Sequence, residues 1–290
     1  MNLIVVGRNS YIGGHFAEYA SRRGARVIGL SSAECNFLCE DEVVDFFRSL
    51  DGENYRIAFF AVVNKSADVS YESFLDNLQI VRNLMVGCRY APVVSIAYFS
   101  SVDVYGAGPI LPIDEETKLA PDTWYGLAKQ GCEWMLSQSG EVDCPVTILR
   151  IPGIYGCAKN DRSVIGRLIK SAVEQGQIHV HGSGDVLRDY VYVEDVSRLL
   201  YEMIPMGHDG TLNLVTGKSY SLVELVDKIR KTLDLQVEII HGAEERGRNF
   251  DLVFDRGGLV DLLPDFNFSD IETAIESYRP VARGAEPKEC

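Results

Sequence analysis

Short runs of β-branched and apolar residues alternate, along the first half of the chain, with stretches whose apolar positions recur every third or fourth residue. The runs Leu3–Gly7, Arg26–Ser31, Ile57–Val63, Val93–Ser101 and Val146–Pro152 read as strands. Between them, residues 12–23, 40–50, 71–88 and 124–137 carry the helical period. Strand and helix taking turns predicts repeated βαβ units, and right-handed crossovers then wind helices onto both faces of a parallel sheet. In such a sheet, ligands bind outside the carboxyl ends of the strands.

Past Pro152 the rhythm loosens. A helix is expected over 163–175, followed by a strand at "IHVHG". "VEDVSRLLYEMI" and "TLNLVTG" read as a helix and strand returning to the first sheet. "SLVELVDKIRKTL" and "VEIIHG" suggest a second lobe. The expected architecture is α/β: a doubly wound parallel (Rossmann) sheet with a smaller α/β substrate-binding lobe. Residues 1–152 would form the dinucleotide-binding domain, with returns near 188–217. Residues 153–187 and 218–280 would form the lobe, and the polar 281–290 a frayed tail. No internal repeat or low-complexity linker interrupts the chain.

Composition narrows the class. The 290 residues suffice for a full core, and 46% hydrophobic with 24% charged residues is ordinary for a globular enzyme. A net charge of −14 argues against nucleic acid or an anionic membrane as the main partner. The seven cysteines form no C-x-x-C pair; Cys35 and Cys39 have no histidine nearby, so no metal is expected. No apolar run reaches membrane-spanning length, and "MNLIVVG" enters a strand with no basic leader. A reducing, cytoplasmic setting is the expectation.

The turn "GRNSYIGG" sets Gly7 at the end of the first strand and Gly13 at the start of the first helix. A dinucleotide pyrophosphate meets backbone N–H groups and a helix N-terminus at such a turn. Arg8, Ser10, Tyr11 and Ile12 are the turn's other candidate contacts, although Ser10 stands where a middle glycine would allow the closest approach. Ala61, at the tip of the third strand, borders the same crevice. The second strand ends in Leu30, Ser31 and Ser32, with Glu34 beyond them, rather than in an acid that would accept from a ribose 2′-hydroxyl. Ser31, with Arg8 facing it, suits a 2′-phosphate, so NADP is preferred over NAD. Arg8 fits a solvated loop equally well.

Chemistry is expected further along. Ser100 and Ser101 close the fourth strand, and "TWYGLAK" places Tyr125 and Lys129 one turn apart on a helix face. Asp122 or Thr123 is positioned to cap that helix. An ammonium beside the phenol favours phenolate, so the Tyr125 pKa is expected to fall from its usual value toward neutrality. A half-buried aromatic beside an exposed lysine near Glu133 is the plainer reading of the same pair.

In their order and spacing, "GRNSYIG", "YFSSVDVYG", "YGLAK", "LRIPGIYG", "GSGDVLRDYVYVEDVSRLL" and "GTLNLVTGKSYSLVELVDKI" resemble the short-chain dehydrogenase/reductase superfamily. The resemblance is to its extended branch of nucleotide-sugar epimerases, dehydratases and reductases. It spans nearly the whole chain and implies an NAD(P)-dependent enzyme with a nucleotide-sugar substrate. It further implies Tyr125 as general acid/base, Lys129 on the nicotinamide ribose, and Ser101 on the substrate oxygen with Ser100 as a nearby stand-in. Asn77 matches a family asparagine beside the cofactor, or is simply a polar helix residue. Arg188 matches a diphosphate-binding arginine, or pairs with Asp189 or Asp195. Arg248 and Asp251 resemble the arginine and acid that meet phosphate and ribose. Family members often dimerise through two helices, to which Leu75, Leu78, Val81 and Met135 would contribute unless they face the sheet; a homodimer is expected.

Three departures from the family pattern sort the reactions. Val102 and Asp103 follow Ser101 where dehydratases carry an Asp-Glu pair, so a 4,6-dehydratase is not expected. Gly153 stands where many epimerases carry a phosphate-binding asparagine. The segment "SSAECNFLCEDEVVDFF" is similar to the deoxysugar ketoreductases. The expected function is therefore a keto-deoxysugar nucleotide reductase using NADPH. An epimerase with tightly bound NAD and a non-catalytic dinucleotide-binding sensor or scaffold are the alternatives.

Overall fold

The computed structural model describes residues 1–63, 70–138, 140–156, 161–242 and 249–284, so Arg248 lies outside the described residues. In chain order the elements begin β1 (Asn2–Val6), α1 (Tyr11–Arg22), β2 (Arg26–Leu30), α2 (Glu40–Ser49), β3 (Tyr55–Phe59) and α3 (Tyr71–Cys88). They continue with β4 (Val93–Ser101), α4 (Trp124–Gln138), β5 (Val146–Ile151), β6 (Gly153–Tyr155), α5 (Val164–Gln175), β7 (Gln177–His181) and β8 (Arg188–Tyr192). Next come α6 (Val193–Met203), β9 (Gly210–Asn213), β10 (Ser219–Tyr220), α7 (Leu222–Leu233), β11 (Glu238–Gly242), α8 (Gly257–Leu262), α9 (Ile271–Glu276) and α10 (Arg279–Ala282). The first two residues of the expected tail, 281 and 282, thus end a short helix.

Two compact units are formed. The first comprises Met1–Ala107, Glu115–Ile151 and Ser197–Asn213. It holds a six-stranded sheet in the order β2-β1-β3-β4-β5-β9, parallel throughout. Leu3, Ile4 and Val5 are all fully buried, because helices cover both faces and the strand has no solvent side to alternate toward. Phe47 of α2, Leu84 of α3 and Cys132 of α4 pack with Ile4, Ile57 and Ile96 into one core. Local chemistry starts the helices. Ser10 caps α1 by accepting from Gly13 N, Ser70 and Ser73 form a capping box on α3, and Thr123 Oγ1 accepts from Gly126 N at 3.0 Å. Thr123, then, caps α4.

The chain crosses from β2 over β1 to β3, so strand order reverses between β1 and β3. That reversal opens the crevice where doubly wound sheets bind ligands. Gly7 and Ala61 lie at its lip: a Cβ on Gly7, whose φ is +87°, would sit 2.8 Å from Ala61 N.

The second unit takes Gly108–Asp114, Pro152–Val196 and the chain from Leu214 onward. A mixed sheet β10-β8-β6 and a parallel pair β11-β7 pack with α5 and α7 around Ile165, Ile169, Leu225, Ile229 and Ile275. Buried Asp189 ties β8 to the turn before β10, accepting from Thr216 N, Thr216 Oγ1 and Gly217 N. Burial pushes its carboxyl up to about 7 despite those donors. Among the described residues no helix is long and apolar enough to cross a membrane, and no His/Cys/Asp/Glu cluster could hold a metal.

The four expected interface residues separate. Val81 is fully buried, and Leu78 and Met135 pack against the core, because that helical stripe faces the sheet. Leu75 alone of the four is exposed, at 43%.

Candidate active site

The glycine turn is drawn tight by Gly7 N and Arg8 N, both donating to Leu30 O, and by Ser10 N donating to Gly7 O. A Cβ at Gly13 would meet Gly7 O at 2.4 Å, so only glycine fits there. Ser10 is engaged in its cap, 3.1 Å from Gly13 N, while Tyr11 and Ile12 open α1. Beside the turn lies a cavity of about 320 Å³ lined by Gly7, Ser31, Ser32, Ala61 and Val63, among others. Small residues, a helix N-terminus and a close backbone approach are what a dinucleotide requires. The residues present fit the cofactor.

The tip of β2 differs from expectation. Glu34 folds back so that its carboxylate accepts from both the N–H and the hydroxyl of Ser31. These bonds hold the Glu34 carboxyl below its usual range, with Arg8 adding a smaller favourable charge. An acid therefore stands at the strand tip after all, and the Ser31 hydroxyl is not free for a phosphate. Asn77 is buried and clasps β3's continuation, donating to Val63 O at 2.8 Å and accepting from Val63 N at 3.0 Å. It shapes the cavity wall through the backbone.

At the carboxyl end of β4, Ser101 is 7% exposed; its hydroxyl accepts from Asp103 N at 3.2 Å and lies near enough to Tyr125 to pull that phenol's pKa down. Ser100 points the other way, as successive strand residues must. Its hydroxyl donates to Glu133, so it is no stand-in for Ser101. Lys129 is 4% exposed; Nζ donates to Phe99 O at 2.6 Å and lies 4.9 Å from the Tyr98 ring and 5.8 Å from the Tyr125 ring. Burial lowers its pKa to about 8, while Cys132 and Glu133 oppose the shift. The expected fall in the Tyr125 pKa does not occur. Burial, then the Asp103 charge, push the phenol up; only Ser101 pulls it down. The ammonium sits over rings and against a carbonyl, and desolvation prevails.

Behind the triad lies a group not expected from the sequence. Glu133 and Arg150, each with side chains 6% exposed, pair at 2.9 Å, and Arg150 Nε reaches both carboxylate oxygens. Arg150 Nη1 donates to the Tyr105 hydroxyl at 3.0 Å and to Glu115 O, and Tyr105 donates to Asn213 Oδ1 at 2.7 Å. The signal was there: Glu133 continues the 125, 129 spacing along one helix face.

In the second unit, Arg188 Nη1 donates to Leu187 O at 2.8 Å and Phe250 O at 2.5 Å. Asp251 Oδ1 accepts from Leu187 N at 2.9 Å. Both side chains thus knit the strand β8 to the 250–251 segment. The Asp189 oxygens accept from Thr216, and those of Asp195 from Ser269.

Residues 3–215 match the NAD dependent epimerase/dehydratase family. A UDP-glucose 4-epimerase of Lactobacillus helveticus is 25% identical over 293 residues, covering 88% of this chain and 88% of its own. Two solved structures share the fold. RMD from Pseudomonas aeruginosa complexed with NADPH has a TM-score of 0.81 at 19% identity, over 98% of this chain and 99% of that one. The UDP-glucose 4-epimerase from Brucella ovis in complex with NAD has a TM-score of 0.83 at 22% identity, over 99% of each chain. The glycine turn at the sheet's reversal, the Ser101–Tyr125–Lys129 group and the matched span agree: the chain belongs to the NAD dependent epimerase/dehydratase family, in the extended branch of the short-chain dehydrogenases/reductases.

Proposed function

We propose that the chain oxidises and re-reduces one carbon of a nucleotide-activated sugar, as an epimerase. The observation that carries the redox reading is the grouping of Ser101, at the carboxyl end of β4, with Tyr125 and with buried Lys129, whose Nζ lies 5.8 Å from the Tyr125 ring. Tyr125 takes a proton from a sugar hydroxyl and returns it, and Ser101 holds the same oxygen. Lys129 keeps a positive charge beneath them. NAD(P), when bound at the Gly7–Gly13 turn, supplies hydride acceptance and donation.

Glu34 favours NAD, since a carboxylate accepts from a ribose 2′-hydroxyl and repels a 2′-phosphate. Tightly held NAD suits a reaction with no net redox change. The keto-deoxysugar reductase using NADPH is the second reading, favoured by Arg8 beside Glu34. Incubating purified protein with UDP-glucose and NAD, then with a 4-keto-deoxysugar nucleotide and NADPH, separates them. Epimer formation with no net change in nicotinamide absorbance supports the first, and stoichiometric NADPH loss the second. Cofactor binding without either product would leave only a sensor or scaffold.

Glu34→Gln removes the charge but keeps the shape. The ratio of NAD to NADP affinity is expected to fall by about tenfold or more, the worth of a hydrogen bond to a charged group. An unchanged ratio in equilibrium titrations would remove Glu34 from cofactor choice.

A homodimer belongs to the same proposal. Tyr71 and Leu75 of α3, with Trp124, Leu127 and Trp134 of α4, are 39–69% exposed, an apolar face more extensive than single surface residues require. Sedimentation is expected to give about twice the 32.2 kDa chain mass; a monomer at micromolar concentration would refute it.

A further inference from the structure

We propose that Tyr98 is a positioning residue for Lys129, its ring face being the seat on which the buried ammonium rests. The inference rests on the role given to Lys129 in the proposed reaction. Lys129 Nζ lies 4.9 Å from the centre of the Tyr98 ring, within the reach of a cation–π contact and closer than the 5.8 Å to the Tyr125 ring. The ammonium makes one hydrogen bond, to Phe99 O at 2.6 Å, and no ion pair among the described residues. Lys129 and Tyr98 are both buried. A cation that has lost its water, with no carboxylate bonded to it, gains most from the negative face of a ring.

The sheet fixes that ring. Tyr98 stands opposite Phe59 in the β3–β4 register, and residues so paired project to one face. The two rings stack at 6.1 Å with 30° between their planes, and Phe59 is fully buried. Ile148 of β5 flanks Tyr98 on its other side. Burial first, then the Cys132 charge, holds the Tyr98 hydroxyl well above the ordinary tyrosine range, so a neutral ring meets the ammonium.

The other groups about Lys129 do not take over this task. On its own helix stand Tyr125, Cys132 and Glu133; Glu133 is engaged by Arg150 of β5, and the Cys132 thiol donates to Asn77 O of α3 at 3.3 Å. Cys132 and Glu133 favour the ammonium, yet burial outweighs both and brings the Lys129 pKa down to about 8. The ring face is the contact that limits that fall.

Ring electronics test the seat without changing its shape. Tyr98→Phe keeps the face and should leave the alkaline limb of the rate profile where the parent has it. Phenylalanines bearing one, two and three ring fluorines at position 98 drain the face, and the limb should then move stepwise toward neutrality, by about one pH unit in all. Urea denaturation of the same variants reads Lys129 without turnover. Between about 8 and the ordinary lysine value of 10.5 the unfolded chain holds more protons than the folded one, so this group's contribution makes stability rise with pH there. A further drop in the folded pKa extends that rise to lower pH. The fluorinated variants should therefore lose more stability, relative to Tyr98→Phe, at about pH 6.5 than at about pH 9.5. If Tyr125→Phe turns over as the parent does, the proposed reaction fails, and the urea comparison still decides the seat. A limb and a stability difference that both ignore fluorination overturn the proposal. So does a limb displaced in Tyr98→Phe, which would assign the role to the hydroxyl.

Discussion

Tyr125→Phe is expected to lower turnover by on the order of a hundredfold or more while leaving the cofactor bound, because it deletes the one proton a positioned acid/base would move. The ring stays, so packing beside Lys129 persists. The oxygen beside Ser101 goes. Initial rates and NAD titrations on the same preparation make the comparison. Turnover within a few-fold of the parent would take Tyr125 out of the reaction and leave Lys129 as a buried structural cation.

Breaking the Glu133–Arg150 pair should cost the most stability. Glu133→Ala strands a guanidinium that is 6% exposed, and losing one member of a buried pair costs about 3–5 kcal/mol. Replacing both members with apolar residues, as in Glu133→Leu with Arg150→Met, should recover much of that loss, since no unpaired charge remains. Urea denaturation of the two single variants and the double variant gives the coupling directly; simple additivity would mean that the residues do not act as a pair. The change also reaches the site. Glu133 raises the Lys129 pKa against its burial, so removing the carboxylate lets that pKa fall below about 8. Protonated Lys129 then disappears at lower pH, and the alkaline limb of the rate profile should move toward neutrality.

The strands of the first unit and the four helices between them were legible because covered strands are continuously apolar and covered helices repeat their apolar positions. Helices α3 and α4 begin where the pattern placed them, at Tyr71 and Trp124. What stayed illegible depends on turns and on distance along the chain. Glu34 is three residues past Ser31, and only the turn between them brings its carboxylate back to the strand tip. Arg150 lies seventeen residues after Glu133 on a different element. Ser100 and Ser101 look interchangeable in a string of letters, but the pleat sends one to Glu133 and the other to Tyr125. The three-residue β6 was missed because it is too brief to carry a period, and β8 because "RDYVY" begins with two charged residues. Electrostatics was harder still: adjacency of a phenol and an ammonium says nothing about how much water each has lost.

One edge strand of the parallel sheet, β9, comes from Gly210–Asn213 and pairs with β5 from Thr147 to Arg150. A ribosome must therefore translate some sixty residues of intervening chain before that edge can close. Until then β5 presents an open row of peptide groups, a template for mispairing with another nascent chain. A chain cut at a tidy boundary after residue 151 would keep that edge exposed, and grafting the 197–213 segment back is the route to a self-sufficient nucleotide half.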